Sequence, residues 1–267
     1  MKPMNFRGRA VLVTGASSGL GREMARQLAT QHGAHLIPVA RRADRLAELK
    51  RELESDASIQ VHPIVADLSK LEDVDRVVSE VTSRYELYGA ILNAGLTHFG
   101  AHDKLEWSEF QRMLDLNVTG VVRMTSQLLG PLEAQSGGLM LVSSLAGIVT
   151  VPYQTAYSAT KAFLIHYGQG LAHELSARNV SITTYAPGGV DTEMTIGEQF
   201  GPLRRWLMPA SQAAHEGVEA LRRRKPLHIP GVTNRWGTAL VGMLPRGFTT
   251  KIVAAQYRRA LEKTGGL

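Results

Sequence analysis

The chain has 267 residues, a formal net charge of +6 and no cysteine. That length suits one large α/β domain whose core needs neither disulfides nor metal. The lack of thiols excludes disulfides, thiolate nucleophiles and Cys-ligated zinc, and it is consistent with a cytoplasmic location.

No apolar run reaches the ~20 residues of a membrane span and no signal-peptide pattern opens the chain, so a soluble protein is expected. The cations are scattered apart from Arg222, Arg223, Arg224 and Lys225, and no reading motif accompanies them. Nucleic acid is therefore not an expected partner.

In chain order, short β-rich runs alternate with amphipathic stretches. Ala10–Thr14 predicts the first strand, and Gly21–Gln31, with Met24 and Leu28 on one face, predicts the first helix. His35–Val39 predicts the next strand, and Leu46, Leu49 and Leu53 then repeat at helical spacing over Arg45–Leu53. Further strands are expected at Gln60–Val65, Gly89–Leu92, Gly138–Ser143, Ser181–Tyr185 and Leu227–Ile229. The alternation argues for a doubly wound, Rossmann-type parallel sheet of about seven strands covered by helices on both faces, in a single domain over residues 1–267.

Two regions depart from that rhythm. Residues 193–210 carry Met194, Ile196, Phe200, Leu203, Trp206, Leu207 and Met208, and are expected to form a variable lid. Its apolar side chains either meet a hydrophobic substrate or pack on the domain, and Arg204 and Arg205 face either an anionic substrate tail or water. Residues 233–267 predict two appended helices, one around Trp236, Leu240 and Leu244 and one over Phe248–Leu261.

Residues 14–21 read TGASSGLG, between the first strand and the first helix. Glycine disfavours helix by roughly 1 kcal/mol relative to alanine, so three in eight residues require another reason. At a strand-to-helix turn, Gly15 permits a tight bend, Gly19 lets a pyrophosphate approach the backbone, and Gly21 lets helix and strand pack closely. The N–H groups of the helix start then face the phosphates, with Ser17, Ser18 and Leu20 in the same turn.

The later motifs are Asn93-Ala94-Gly95, Asn117, Ser144, Tyr157-Ser158-Ala159-Thr160-Lys161 and Pro187-Gly188. In this order and at these separations the chain, from about residue 8 to about residue 192, resembles the short-chain dehydrogenase/reductase family in its compact single-domain subgroup. One departure is Leu92, which stands where the family often has a second asparagine.

Tyr157 and Lys161, four apart on a predicted helix, share one face. A neighbouring ammonium is expected to lower the tyrosine pKa and fit it for proton transfer to a developing alkoxide. The resemblance implies that Ser144 hydrogen bonds the substrate oxygen, with Ser143 as its rival, and that Asn117 helps hold a water linking Lys161 to solvent. Tyr153 is read as pocket-lining. His98 and His102 are four apart without an acidic third ligand, so no metal is expected, and His98 is placed near substrate.

The second strand ends in Val39-Ala40-Arg41-Arg42. Ala40 stands where NAD enzymes place a carboxylate for the ribose 2′-hydroxyl. A guanidinium instead suits a 2′-phosphate. NADP (NADPH) is therefore the expected cofactor, with Arg41 as main contact, Arg42 as second, and Ser17 adding a hydroxyl. The resemblance further implies that Asp67 and Leu68 border the adenine and that Asn93, Ala94 and Gly95 wall the ribose side. It also implies that Pro187, Gly188, Val190 and Thr192 support the nicotinamide, where the additional Gly189 is expected to widen the site.

The expected activity is interconversion of a hydrophobic ketone and a secondary alcohol. A non-catalytic NADP-binding sensor is the alternative, and the complete proton-delivery set speaks against it. A homodimer through the helices carrying Asn117 and Tyr157 is expected over a tetramer, and the basic, partly apolar C-terminal helices allow contact with anionic membrane.

Overall fold

The computed structural model describes residues 1–56, 58–195 and 207–262. The strands are β1 (Ala10–Thr14), β2 (His35–Ala40), β3 (Ile64–Val65), β4 (Leu87–Leu92), β5 (Gly138–Val142), β6 (Ser181–Tyr185), β7 (Val190–Asp191), β8 (Met208–Pro209) and β9 (Leu227–His228). The helices are α1 (Gly19–His32), α2 (Ala43–Leu53), α3 (Leu71–Arg84), α4 (Trp107–Leu114), α5 (Gly120–Ala134), α6 (Thr155–Glu174), α7 (Ala210–Arg222), α8 (Val232–Gly242) and α9 (Arg246–Glu262).

Seven strands form one sheet in the order β3-β2-β1-β4-β5-β6-β9, with every pair parallel. Parallel strands joined by helices are covered on both faces, which is why the inner ones read as continuous apolar runs. Along β1, Leu12 joins the core shared with Val74, Val77 and Val81 of α3, Leu128 of α5 and Leu164 of α6. Its neighbours Val11 and Val13 point the other way, to Met24 and Leu28 of α1, Leu49 of α2 and Val218 and Leu221 of α7. This is the doubly wound arrangement expected from the sequence.

The third strand is shorter than the expected Gln60–Val65. Val61 makes an isolated bridge to Leu36, and the ladder resumes only at Ile64. On β2 the residue that faces this gap is Pro38, which has no N–H to donate, and the pairing is interrupted there.

The strand order reverses between β1 and β4, so the crevice at the carboxyl edge opens beside Thr14, Ala40 and Leu92. A separate parallel ribbon, β7 with β8, pairs Val190 with Met208 and forms the base of the segment expected as a lid. The expected lid residues Ile196, Phe200, Leu203, Arg204, Arg205 and Trp206 lie outside the described residues. Among the described residues no helix is long and apolar enough to cross a membrane.

Candidate active site

The first turn after β1 is built on two left-handed glycines, Gly15 at φ +67° and Gly19 at φ +54°. A Cβ on Gly15 would stand 2.8 Å from Asn93 Nδ2, and one on Gly21 would stand 2.5 Å from the Gly15 carbonyl oxygen, so the turn, α1 and the end of β4 close on one another. Thr14 ties them together: its Oγ1 accepts from the N–H groups of Asn93 and Ala94 at 2.9 and 3.0 Å, and its carbonyl accepts from Asn93 Nδ2. The threonine opens the TGASSGLG stretch, yet only the fold reveals its partners. Thr192 lies across the turn, its Cβ 3.1 Å from where a Gly19 Cβ would be. That leaves a shallow backbone cradle at the start of α1, of the kind that receives a pyrophosphate. Ser18 and Leu20 flank Gly19 there, both half-buried.

The two arginines after β2 differ in their surroundings. Arg42 donates from Nε and Nη2 to Ser17 Oγ at 3.3 and 3.2 Å, and from Nη1 to Glu193 at 3.1 Å. Arg41 is exposed and its charge is felt at Asp67. Arg42, expected as the second contact, is thus the one gathered against Ser17, because it stands at the position that caps α2 and turns its side chain back over the glycine loop. Asp67 accepts from Ser69 and Arg112, which together with Arg41 hold its carboxyl below the usual carboxylate range despite partial burial. Leu68 is buried.

On the substrate side, Asn117 occupies one wide turn, Asp115–Thr119, inserted between α4 and α5. It is fully buried and clamps Leu96 on both backbone groups: Oδ1 accepts from Leu96 N at 2.9 Å, and Nδ2 donates to Leu96 O at 2.8 Å and to Thr160 Oγ1 at 3.0 Å. Asn117 and Lys161 both close in on Gly95, where a Cβ would stand 3.3 Å from Asn117 Oδ1 and 3.4 Å from Lys161 Nζ.

Tyr157 and Lys161 lie on α6. Lys161 is buried, its Nζ donates to the Val142 carbonyl at 2.9 Å, and it stands 5.7 Å from the centroid of the Tyr157 ring. The expectation that Lys161 lowers the tyrosine pKa does not hold for the free protein. Burial pushes the Tyr157 phenol up to about 12, offset in part by its hydrogen bond with Ser144, and burial pushes Lys161 down to about 8. Desolvation is the leading cause of both shifts. Ser143 donates to the Lys161 carbonyl at 2.7 Å and is buried, whereas Ser144 is half-buried and accepts from Ala146 N at 3.1 Å. Geometry therefore brings Ser144, not Ser143, to the tyrosine.

Pro187 and Gly188 follow β6, and the Pro187 carbonyl accepts from Leu145 N at 2.8 Å, beside Ser144. Gly189 does not widen the site, because Leu207 Cδ2 already stands 2.6 Å from where its Cβ would be.

Three residues reach this region without a sequence signal. Tyr257 of α9 is near enough to Tyr157 to oppose its ionisation, and its ring packs 5.4 Å from that of Phe99. Beside it, Arg258 donates to the hydroxyl of Tyr153, a non-glycine residue at φ +67°. Glu193 is the third, through its pairing with Arg42. Among the described residues no cluster of His, Asp and Glu has the makings of a metal site.

A model of the short chain dehydrogenase family matches residues 9–199, and the chain belongs to that family. It is 36% identical over 201 residues to 11-beta-hydroxysteroid dehydrogenase 1A of Arabidopsis thaliana, covering 73% of this chain and 56% of the plant protein, so it spans about half of that relative's length. It is 34% identical to an oxidoreductase of Myxococcus xanthus, covering 94% of this chain and 97% of the relative. Among solved structures, a short-chain dehydrogenase from Sphingobium yanoikuyae in complex with NADPH superposes with a TM-score of 0.77 at 27% identity, over 88% of this chain and 92% of that one.

Proposed function

We propose that the protein is an NADPH-dependent reductase that converts a hydrophobic ketone to a secondary alcohol. The observation that carries this reading is the convergence of Tyr157, Ser144, Lys161 and Asn117 at the carboxyl edge of the sheet, beside the Gly15–Gly21 cradle. The cradle fits a dinucleotide, and the absence of a carboxylate at Ala40 together with the Arg42 and Ser17 pairing fits a 2′-phosphate. When bound, NADPH supplies the hydride.

The chain's own residues handle the proton. Burial keeps Tyr157 protonated throughout the neutral range, so it is an acid ready to donate to the developing alkoxide. Ser144, already hydrogen bonded to Tyr157, is placed to donate to the same oxygen and orient the carbonyl. Lys161, charged below about pH 8, stabilises the phenolate left behind. A water held by Asn117 and Lys161, both of which approach Gly95, restores the proton.

The apolar substrate class is supported by Phe99 and Tyr257 beside the tyrosine and by the hydroxysteroid relative. A dimer through α5 and α6 fits the exposed Phe163 of α6, stacked on Tyr167, and a cytoplasmic location fits the cysteine-free composition.

Cofactor choice is tested by equilibrium binding. Arg42→Ala is expected to weaken NADPH by about 10- to 100-fold, the worth of a charge-assisted phosphate contact, with little change for NADH. Loss of NADPH binding in Arg41→Ala alone would return the main role to that residue.

A further inference from the structure

The two C-terminal helices expose a row of large apolar side chains. On α8, Val232, Trp236, Leu240 and Met243 recur at spacings of four, four and three, forming one row that is 60 to 83% exposed. On α9, Phe248 and Ile252 are 55 and 46% exposed. From residue 232 to residue 262, the end of α9, the sequence holds five Lys or Arg and one acid, Glu262. Of these cations, Lys251 and Arg259 are exposed on α9, within a turn or two of Phe248 and Ile252.

The opposite face of α9 is engaged with the domain. Leu261 is buried, Tyr257 stacks near Phe99, and Arg258 holds Tyr153. The exposed apolar residues of α9 are therefore on the outer side of an anchored helix, and α8 is tied to α7 by the ion pair of Arg235 with Glu216.

We infer that α8 and α9 form a docking face for an anionic lipid bilayer. The apolar row enters the boundary between headgroups and acyl chains, and the flanking cations meet lipid phosphates. Charge complementarity selects this occupant. In a two-fold contact with a second copy, a face with five cations against the single carboxylate of Glu262 would meet itself. Because the inner face of α9 carries Tyr257 to the cleft, docking also sets the cleft beside the bilayer, where a lipophilic ketone would be taken up. That last clause rests on the proposed reductase activity, whereas the docking does not.

The test is flotation of the full chain with phosphatidylcholine vesicles, with and without phosphatidylglycerol, at low and high salt, alongside sedimentation velocity without lipid. Binding is expected to the phosphatidylglycerol vesicles and to weaken with salt. The double variant Trp236→Ser, Met243→Ser should bind at least ~10-fold more weakly, since each side chain forfeits apolar burial. Lys251→Glu with Arg259→Glu should lose ~10-fold or more, on anionic vesicles only.

Failure of the wild type to float at low salt would overturn the inference, as would variants that float like the wild type. So would conversion of a dimer to a monomer by Trp236→Ser, Met243→Ser, which assigns the row to a second copy. Both variants should reduce a water-soluble ketone at the wild-type rate; if the wild type reduces none while flotation succeeds, the reductase reading fails and the docking stands.

Discussion

Lys161 shows why a spacing alone misleads about chemistry. Tyr157 and Lys161 are legible in the sequence as a helical pair, but the sign of their pKa shifts depends on burial, which no spacing reveals. The consequence for stability has a definite direction. In the unfolded chain the lysine titrates near 10.4, in the folded chain near 8, so below about pH 8 the fold holds a buried charge. Its neutral form favours the fold fully above about 10.5 and loses that advantage as pH falls through 8. Urea titrations should show a gain of about 2 kcal/mol between pH 7.5 and 9.5 in the wild type beyond that in Lys161→Met. An identical pH dependence in the two proteins would contradict this. Asn117 is similarly quiet in sequence and prominent in the fold. Asn117→Ala strips both backbone groups of Leu96 and the Thr160 hydroxyl of a partner and should cost about 2 to 4 kcal/mol by chemical denaturation. The choice between Arg41 and Arg42 was illegible because it depends on where the start of α2 turns each side chain.

At the scale of elements, the strands of the sheet centre were read nearly to their ends because they are buried on both faces and uniformly apolar. The edge was read too long, since the reading of Gln60–Val65 ignored the missing donor of Pro38 on the neighbouring strand. The wide turn that carries Asn117 left no periodic trace, because one inserted residue barely disturbs a helical pattern. Close contact between α6 and β6 depends on Gly168, where a Cβ would lie 2.2 Å from Thr184 Oγ1. As that threonine is fully buried in a strand paired on both sides, Gly168→Ala should destabilise by about 1 to 3 kcal/mol through overpacking. A thermal midpoint equal to that of the wild type would show that the two elements separate at little cost. Because α6 also carries Tyr157 and Lys161, the same substitution should lower turnover of the folded enzyme.

For the molecule as a whole, the topology explains why residues from positions 15 to 192 meet: the reversal between β1 and β4 opens one crevice, and every loop that follows a strand of the parallel sheet ends at that edge. Motif order in the sequence carried this much. The return of α9 to the cleft did not show, because Tyr257 and Phe99 are 158 positions apart and neither belongs to a repeating pattern. The most direct measurement is NADPH oxidation by the wild type and Tyr157→Phe against ketones graded from short 3-oxoesters to steroids, with cofactor binding recorded for both proteins. Turnover that rises with the apolar size of the ketone, falls by about 100-fold or more in Tyr157→Phe and leaves NADPH affinity unchanged is the predicted result. Tight NADPH binding without turnover of any ketone, or undiminished turnover in Tyr157→Phe, would contradict the account.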